Sequence, residues 1–309
     1  MTAYFIWLER TKALKNSEKR ILLKRHSTPE AVFNDTIKKY SGTEAQMTLL
    51  DQAKRVEENC QKNDIEIITC FDKRYRPCNH FALYAKGPFI KTKLITLIGS
   101  RKPSREGILN TELLCEEMIG KGYTISGGHA QGIESIARCT ARKLKGRHMS
   151  FLTKSIKPNG AVVPNETQLS PFPPGTPFSK YQYGIRNALL IHWSDALVLI
   201  ESTPIGHSYN LAIGALKQKK KVSVIVPTLK ASAPIQTDQL IEEGALPLES
   251  PFKSIYKTLA PTQKDILNAI ALLPASTQDL AAHDDLKYAL LELESLGIIG
   301  LEGDGLWRV

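Results

Sequence analysis

KLITLIGSRKPSREG, residues 93–107, joins an apolar run directly to Gly-Ser-Arg and then resumes with features that start a helix. A continuous apolar run of this length, without polar alternation, is the pattern of a strand covered on both faces. An arginine immediately beyond such a strand belongs to no core. The same unit recurs along the chain: GYTISGG (122–128), ALVLIES (196–202) and KVSVIVP (221–227) read as strands, and IEIITCFD (65–72) begins this β-rich part. Between them, REGILNTELLCEEMIGKG (105–122), GIESIARCTARKLKG (132–146) and SYNLAIGALKQKK (208–220) carry helical periodicity. Strand then helix, repeated, predicts an α/β, doubly wound, mostly parallel sheet of Rossmann-like type over residues 63–250. NGAVVPNETQLSPFPPGTPFSKYQYG (159–184), with five prolines, interrupts the alternation and reads as a long surface excursion.

Residues 1–62 are rich in Lys and Glu at helical spacing, as in EAQMTLLDQAKRVEENCQK (44–62), and predict a small helical domain of SAM or helix-hairpin-helix type. Residues 251–309 read as three helices opening at Thr262, at Ser276 or Thr277, and at Asp284, followed by a hairpin turning at Gly303-Asp304-Gly305. That is a winged-helix-like plan. The chain of 309 residues carries a net charge of +10, and the three segments hold 12 basic against 8 acidic, 24 against 15, and 5 against 8 residues. The surplus that would attract a polyanion therefore lies in the middle, and the acidic C-terminal module is unsuited to a phosphate backbone. No apolar run approaches a membrane span, and the N-terminus lacks the pattern of a secretory signal, so a cytoplasmic location without membrane contact is expected. Five cysteines without a C-x-x-C pair fit reduced thiols; Cys78 and His80 lack a companion pair, so no metal or other cofactor is expected.

In open α/β sheets, ligands bind beyond the carboxyl ends of the strands, where backbone N–H groups and helix N-termini favour anions. Gly99 permits close backbone approach, Ser100 offers a hydroxyl, and Arg101 a planar fork for phosphate. A second strand ends at Ser126-Gly127-Gly128-His129. Farther on, Lys180, Tyr183, Arg186 and Asn187 bring a cation, an aromatic face, a fork and an amide together before a helix. Cations tracking a backbone beside rings that stack on bases form a sequence-tolerant single-strand site. Neither strand end is a Walker A or G-x-G-x-x-G sequence. Glu201, at a strand end without a partner acid, reads as a capping carboxylate, so no catalytic residue is assigned.

LITLIGSRKPSREG, YTISGGHAQGIESIA, FPPGTP, GIRNALLIHWSDALVLIES and LIEEGALPL resemble, in order and spacing, the DNA-processing protein A family, also called DprA or Smf, over residues 65–250. The resemblance implies a non-enzymatic protein of the Rossmann-like class that binds single-stranded DNA without sequence preference, forms a homodimer and loads a RecA-type recombinase during natural transformation. It places Gly99, Ser100, Arg101, Ser126, Gly127, Lys180, Tyr183, Arg186, Asn187 and Ser208 at the DNA. The chain departs from the family pattern at Gly128-His129, at Glu134, at Ala188, where one cation is lost, and at Ile205-Gly206-His207-Ser208. The alternative is a nucleotide-binding or nucleoside-monophosphate phosphoribohydrolase-like protein of the same superfamily. Its Pro-Gly-Gly-x-Gly-Thr-x-x-Glu loop is missing: the corresponding ESTPIGHSYN (201–210) has no glycine run. A third reading is a scaffold that holds partners and has lost the nucleic-acid surface.

Overall fold

The computed structural model describes residues 1–39, 42–89, 92–202, 206–229, 236–272, 275–276, 284–301 and 306–308. Four helices come first, α1 (Thr2–Arg10), α2 (Asn16–His26), α3 (Pro29–Lys39) and α4 (Thr43–Lys62). Then follow β1 (Glu66–Thr69), β2 (Ala82–Lys86), β3 (Leu94–Ile98), α5 (Arg105–Gly120), β4 (Thr124–Gly127), α6 (Ile133–Lys143), β5 (His148–Phe151), β6 (Glu166–Ser170) and α7 (Gln182–Trp193). The chain continues through β7 (Ala196–Leu199), α8 (His207–Lys217), β8 (Lys221–Val226), α9 (Gln236–Glu242), β9 (Leu246–Glu249) and α10 (Phe252–Thr258). It ends with α11 (Pro261–Leu272), β10 (Ala275–Ser276), α12 (Asp284–Ser295), β11 (Gly300–Leu301) and β12 (Leu306–Arg308).

Packing sorts these elements into two compact units, one of Met1–Lys91 with Met149–Trp193, the other of Thr92–His148 with Ser194–Val309. The sequence segments 1–62, 63–250 and 251–309 follow changes of pattern along the chain, whereas these units follow contact in space.

In the first unit, Trp7, Val32, Phe33, Leu50 and Ala53 of the helical head share one apolar cluster with Phe81 and Ala82. Polar contacts reinforce this join. The Glu9 carboxylate accepts from the Phe81 backbone N–H at 2.6 Å and lies 2.8 Å from His80 Nδ1. Cys78 is buried beside the Tyr75 hydroxyl, so these two loop residues serve the fold. β1 pairs antiparallel with β2, and β2 with β6. The expected excursion 159–184 therefore contains a strand. ETQLS has a single bulky apolar side chain, Leu169, in five residues, and its strand state is imposed by pairing with β2, a tertiary override of a weak local signal.

The second unit carries the parallel sheet, with strand order β4-β3-β7-β8-β9. All four strands expected here from apolar runs are present. Every residue of β3 is buried, as are Ile125, Val198, Ile200 and Ile225, and α5 and α6 cover this layer through Leu114, Cys115, Ile133, Ala137 and Ala141. Full burial of each such Leu or Ile side chain contributes roughly 1.5–3 kcal/mol. The one polar residue in the middle of β3, Thr96, is tolerated because its hydroxyl lies 2.7 Å from Ser126 Oγ and also bonds Ser194 Oγ.

At the C-terminus, α11 and α12 stand where the first and third helices were expected. They pack Ile266, Leu267 and Ile270 against Ala289, Leu290 and Leu293. β10, β12 and β11 form a small antiparallel sheet in that order. Ser276 stands in β10; the remainder of the expected second helix and the turn at Gly303-Asp304-Gly305 lie outside the described residues. The winged-helix assignment of this module remains a proposal drawn from its pattern. Among the described residues no helix is long and apolar enough to cross a membrane.

Candidate nucleic-acid interface

The carboxyl end of β3 is a fixed turn. A Cβ at Gly99 would come within 2.6 Å of Ile133 Cγ1 and 2.9 Å of the Glu201 carbonyl oxygen, so only glycine lets this backbone lie so close to its neighbours. The Ser100 carbonyl accepts from Ile133 N at 3.1 Å, and the Ser208 hydroxyl donates to the Gly99 carbonyl at 2.7 Å. Ser208 therefore contributes by anchoring the turn. Gly132 opens α6 at φ 77°, ψ −133°, packed against the backbone of Ser100 and Arg101. What these contacts leave outside is the pair Arg101 and Lys102, both exposed.

Three of the expected site residues are engaged by the protein itself. The Ser100 hydroxyl turns back on its own loop, donating to the Lys102 carbonyl at 2.8 Å and accepting from Lys102 N at 3.1 Å; it stiffens the turn that displays Arg101. Ser126 is fully buried, and its hydroxyl is engaged with Thr96 inside the sheet. It belongs to strand pairing, and Gly127 beside it is buried as well. Arg186, expected at a phosphate, is only 6% exposed, because helical periodicity turns it to the covered face of α7 with Leu189 and Leu190.

The N-terminus of α5, which follows this turn in the chain, already holds a carboxyl group. The Glu201 carboxylate accepts from Ser104 N at 3.1 Å and from Ser104 Oγ at 2.6 Å, while Ser104 Oγ caps α5 by accepting from Gly107 N at 3.0 Å. Glu201 is thus the capping acid its isolation in the sequence suggested. Burial pushes its carboxyl above the usual range, against the lowering pull of the Ser104 hydrogen bonds. A raised folded-state value means that its contribution to stability is fully present at acid pH and is lost as pH rises through that value. Glu201→Gln imitates the protonated form. Thermal melts at stepped pH are therefore expected to show wild type losing ground to this variant between acid and neutral pH; a constant difference would refute the assignment. Glu201→Ala, which unpairs the Ser104 donors, should cost about 1–2 kcal/mol at acid pH and less as pH rises toward neutral.

In the first unit, the excursion ends in a second displayed cluster. Lys180 is exposed, Tyr183 is 43% exposed in the first turn of α7, and Asn187 is half-buried one turn further on. The structure adds three residues that the sequence reading passed over. Phe178 is 45% exposed and meets the Tyr183 ring edge-on, with centroids 5.8 Å apart and planes at 90°. Lys154 Nζ lies 5.4 Å from the Phe178 centroid, and Tyr181 is exposed next to Lys180. The clamp behind them is Gln182, wholly buried, which donates from Nε2 to the Pro177 carbonyl at 3.1 Å and accepts from Ser179 N at 3.2 Å. Phe178 stood in view as an aromatic within a proline-rich stretch. Lys154 had no signal, being far away in sequence, and a glutamine at the start of a helix reads as surface.

A sequence model of the family described as DNA recombination-mediator protein A matches residues 73–259, more than half of the chain. The chain belongs to this family. The resemblance drawn from the ordered strand-end motifs is therefore borne out, and the family's description is that of a recombination mediator, not of an enzyme class. Among curated relatives, DNA processing protein DprA of Bacillus subtilis is 26% identical over 178 residues, 53% of this chain and 59% of that protein. Protein Smf of Escherichia coli is 24% identical over 188 residues, 55% of this chain and 49% of that protein. The matches thus span about half to three fifths of those relatives. Among solved structures, DprA from Streptococcus pneumoniae aligns over 84% of this chain and 99% of its own with a TM-score of 0.65 at 17% identity. DNA processing protein A from Helicobacter pylori, whose structure concerns its single-stranded DNA binding mode, aligns over 63% of this chain and 94% of its own with a TM-score of 0.52 at 21% identity. At these identities the two structures support the Rossmann-like fold of this family member.

Proposed function

We propose that this protein binds single-stranded DNA without sequence preference and passes it, as a homodimer, to a RecA-type recombinase. The observation that carries the reading is the strand-end turn of β3: Gly99, Ser100, Gly132 and Ser208 hold a backbone whose exposed product is the Arg101 guanidinium. Arg101 and Lys102 neutralise phosphates there, and Lys180 does so beside Tyr183, whose ring takes a base. Membership in a recombination-mediator family supports the hand-over, and the single-strand binding of the Helicobacter relative supports the ligand. Ser100 and Ser208 act by holding the turn, Ser126 and Gly127 by shaping the strand beside it, and Arg186 and Asn187 by shaping the helix that carries Tyr183. Transfer to the recombinase would extend this to natural transformation.

Fluorescence anisotropy with a labelled oligo-dT over a salt series tests it. Wild type should bind with an affinity that falls as salt rises. Arg101→Ala and Lys180→Ala should each weaken binding and make the plot of log affinity against log salt shallower by roughly 0.7 per lost phosphate contact. A folded wild-type sample that binds no oligonucleotide at low salt would refute the reading. Accelerated assembly of a RecA-type recombinase on the preformed complex, lost in Arg101→Ala, is the expected result for loading.

A further inference from the structure

Two large rings held half in water need a reason. Phe178 and Tyr183 lie on a segment that the fold takes trouble to fix: Gln182 bonds the backbone on both sides of Phe178, Tyr183 N donates to the Lys180 carbonyl at 3.2 Å, and Ser155 Oγ donates to the Thr176 carbonyl at 3.4 Å. The backbone that carries Lys154 is tied in the same way, its carbonyl accepting from Ser170 Oγ at 3.0 Å. The rings are therefore presented in a set geometry without being buried. A pair that served packing alone would gain by moving inward, since each exposed aromatic forgoes hydrophobic stabilisation. The two planes stand at 90°, so one flat base cannot stack on both.

We propose that Phe178 and Tyr183 form a corner that takes two successive bases of a single strand, one on the open face of each ring, with the Lys154 ammonium, which lies over the Phe178 ring, meeting the phosphate near the bend. This rests on the single-strand reading above and adds to it a second base-binding ring, a further cation and a selectivity. Bases seated on perpendicular faces cannot remain stacked on each other. The strand must bend at this point, which duplex DNA cannot do without being opened. Strands whose bases stack weakly on one another give up less on entering, so thymine runs are favoured over adenine runs. Base-on-ring stacking contributes enough per base to be read in a binding curve, and the cation beside the ring stays close to the surface the strand crosses.

The test uses the full chain, fluorescein-labelled dT20 and dA20, and the variants Phe178→Leu, Tyr183→Leu, their double variant, Phe178→Trp and Lys154→Ala. Leucine keeps bulk and removes the flat ring. Phe178→Leu is expected to weaken dT20 binding about ten-fold, to do so again in the Tyr183→Leu background, and to narrow the preference for dT20 over dA20. Lys154→Ala should flatten the salt dependence. Phe178→Trp should keep the affinity, and its indole fluorescence should be quenched on adding dT20. Unchanged binding by Phe178→Leu, or a loss that disappears in the Tyr183→Leu background, would overturn the corner. If wild type binds and Arg101→Ala weakens it while Phe178→Leu does not, only this inference fails. Absence of wild-type binding overturns both.

Discussion

Gly132→Ala is expected to lower stability by about 3 kcal/mol or more and to remove the proposed strand-end DNA binding in whatever protein still folds. At φ 77°, ψ −133° the backbone lies in a region that L side chains rarely enter. The added Cβ would lie 2.1 Å from the Ser100 carbonyl oxygen and 2.6 Å from Arg101 Cα. These are backbone atoms, so no side-chain rotation relieves the overlap. Either α6 retreats from β3, breaking the bond from Ile133 N to the Ser100 carbonyl, or the Gly99-Ser100-Arg101 turn moves and carries Arg101 away from its set position. Urea denaturation reads the first effect and oligo-dT anisotropy the second. A variant as stable as wild type, with unchanged affinity, would show that the turn does not need this close approach.

Glu106→Ala is expected to cost about 3 kcal/mol, with no direct effect on the displayed cations. Glu106 is 1% exposed in the first turn of α5, where a carboxylate also suits the helix dipole. It accepts from Thr228 N at 2.6 Å, Leu229 N at 3.2 Å and Ser250 Oγ at 2.9 Å. One turn later Asn110 Oδ1 accepts from Phe252 N at 2.9 Å and lies equally close to Ser250 Oγ. Alanine at 106 leaves buried donors without an acceptor, which costs far more than the net value of a single hydrogen bond. The loss should appear as a lower urea midpoint with far-UV helicity retained below it. Glu106→Gln, which keeps one acceptor oxygen, should recover part of it. An alanine variant within 1 kcal/mol of wild type would show that water satisfies these donors and that Glu106 is not what ties α5 to the segments after β8 and β9.

Much of the fold was legible because apolar periodicity is a local property. The runs that became β3, β4 and β7, and the middle of β8, are covered on both faces, so their composition alone declares them. β6 was not legible: its five residues are a strand through pairing with β2, some 80 residues earlier. The same division applies to the candidate interface. Arg101, Lys180 and Tyr183 could be named in advance because an arginine after a strand and a cation beside an aromatic ring carry their chemistry in their type. The burial of Ser126 and Arg186 could not be read in advance, since the same residue type faces outward or the interior depending on which face it lands on.

From its residues alone, then, this protein has a parallel α/β core, a helical head, a basic middle and a set of strand-end motifs in family order, because each depends on near neighbours in the chain. Only the tertiary structure decided which polar groups remain outward. It turned Ser100 and Ser208 into supports for Arg101, gave Glu201 to the α5 N-terminus, and brought Lys154 to Phe178 and Phe178 to Tyr183. Hydrogen bonds and ring contacts between residues distant in sequence depend on how the elements pack, and packing is a property of the whole fold.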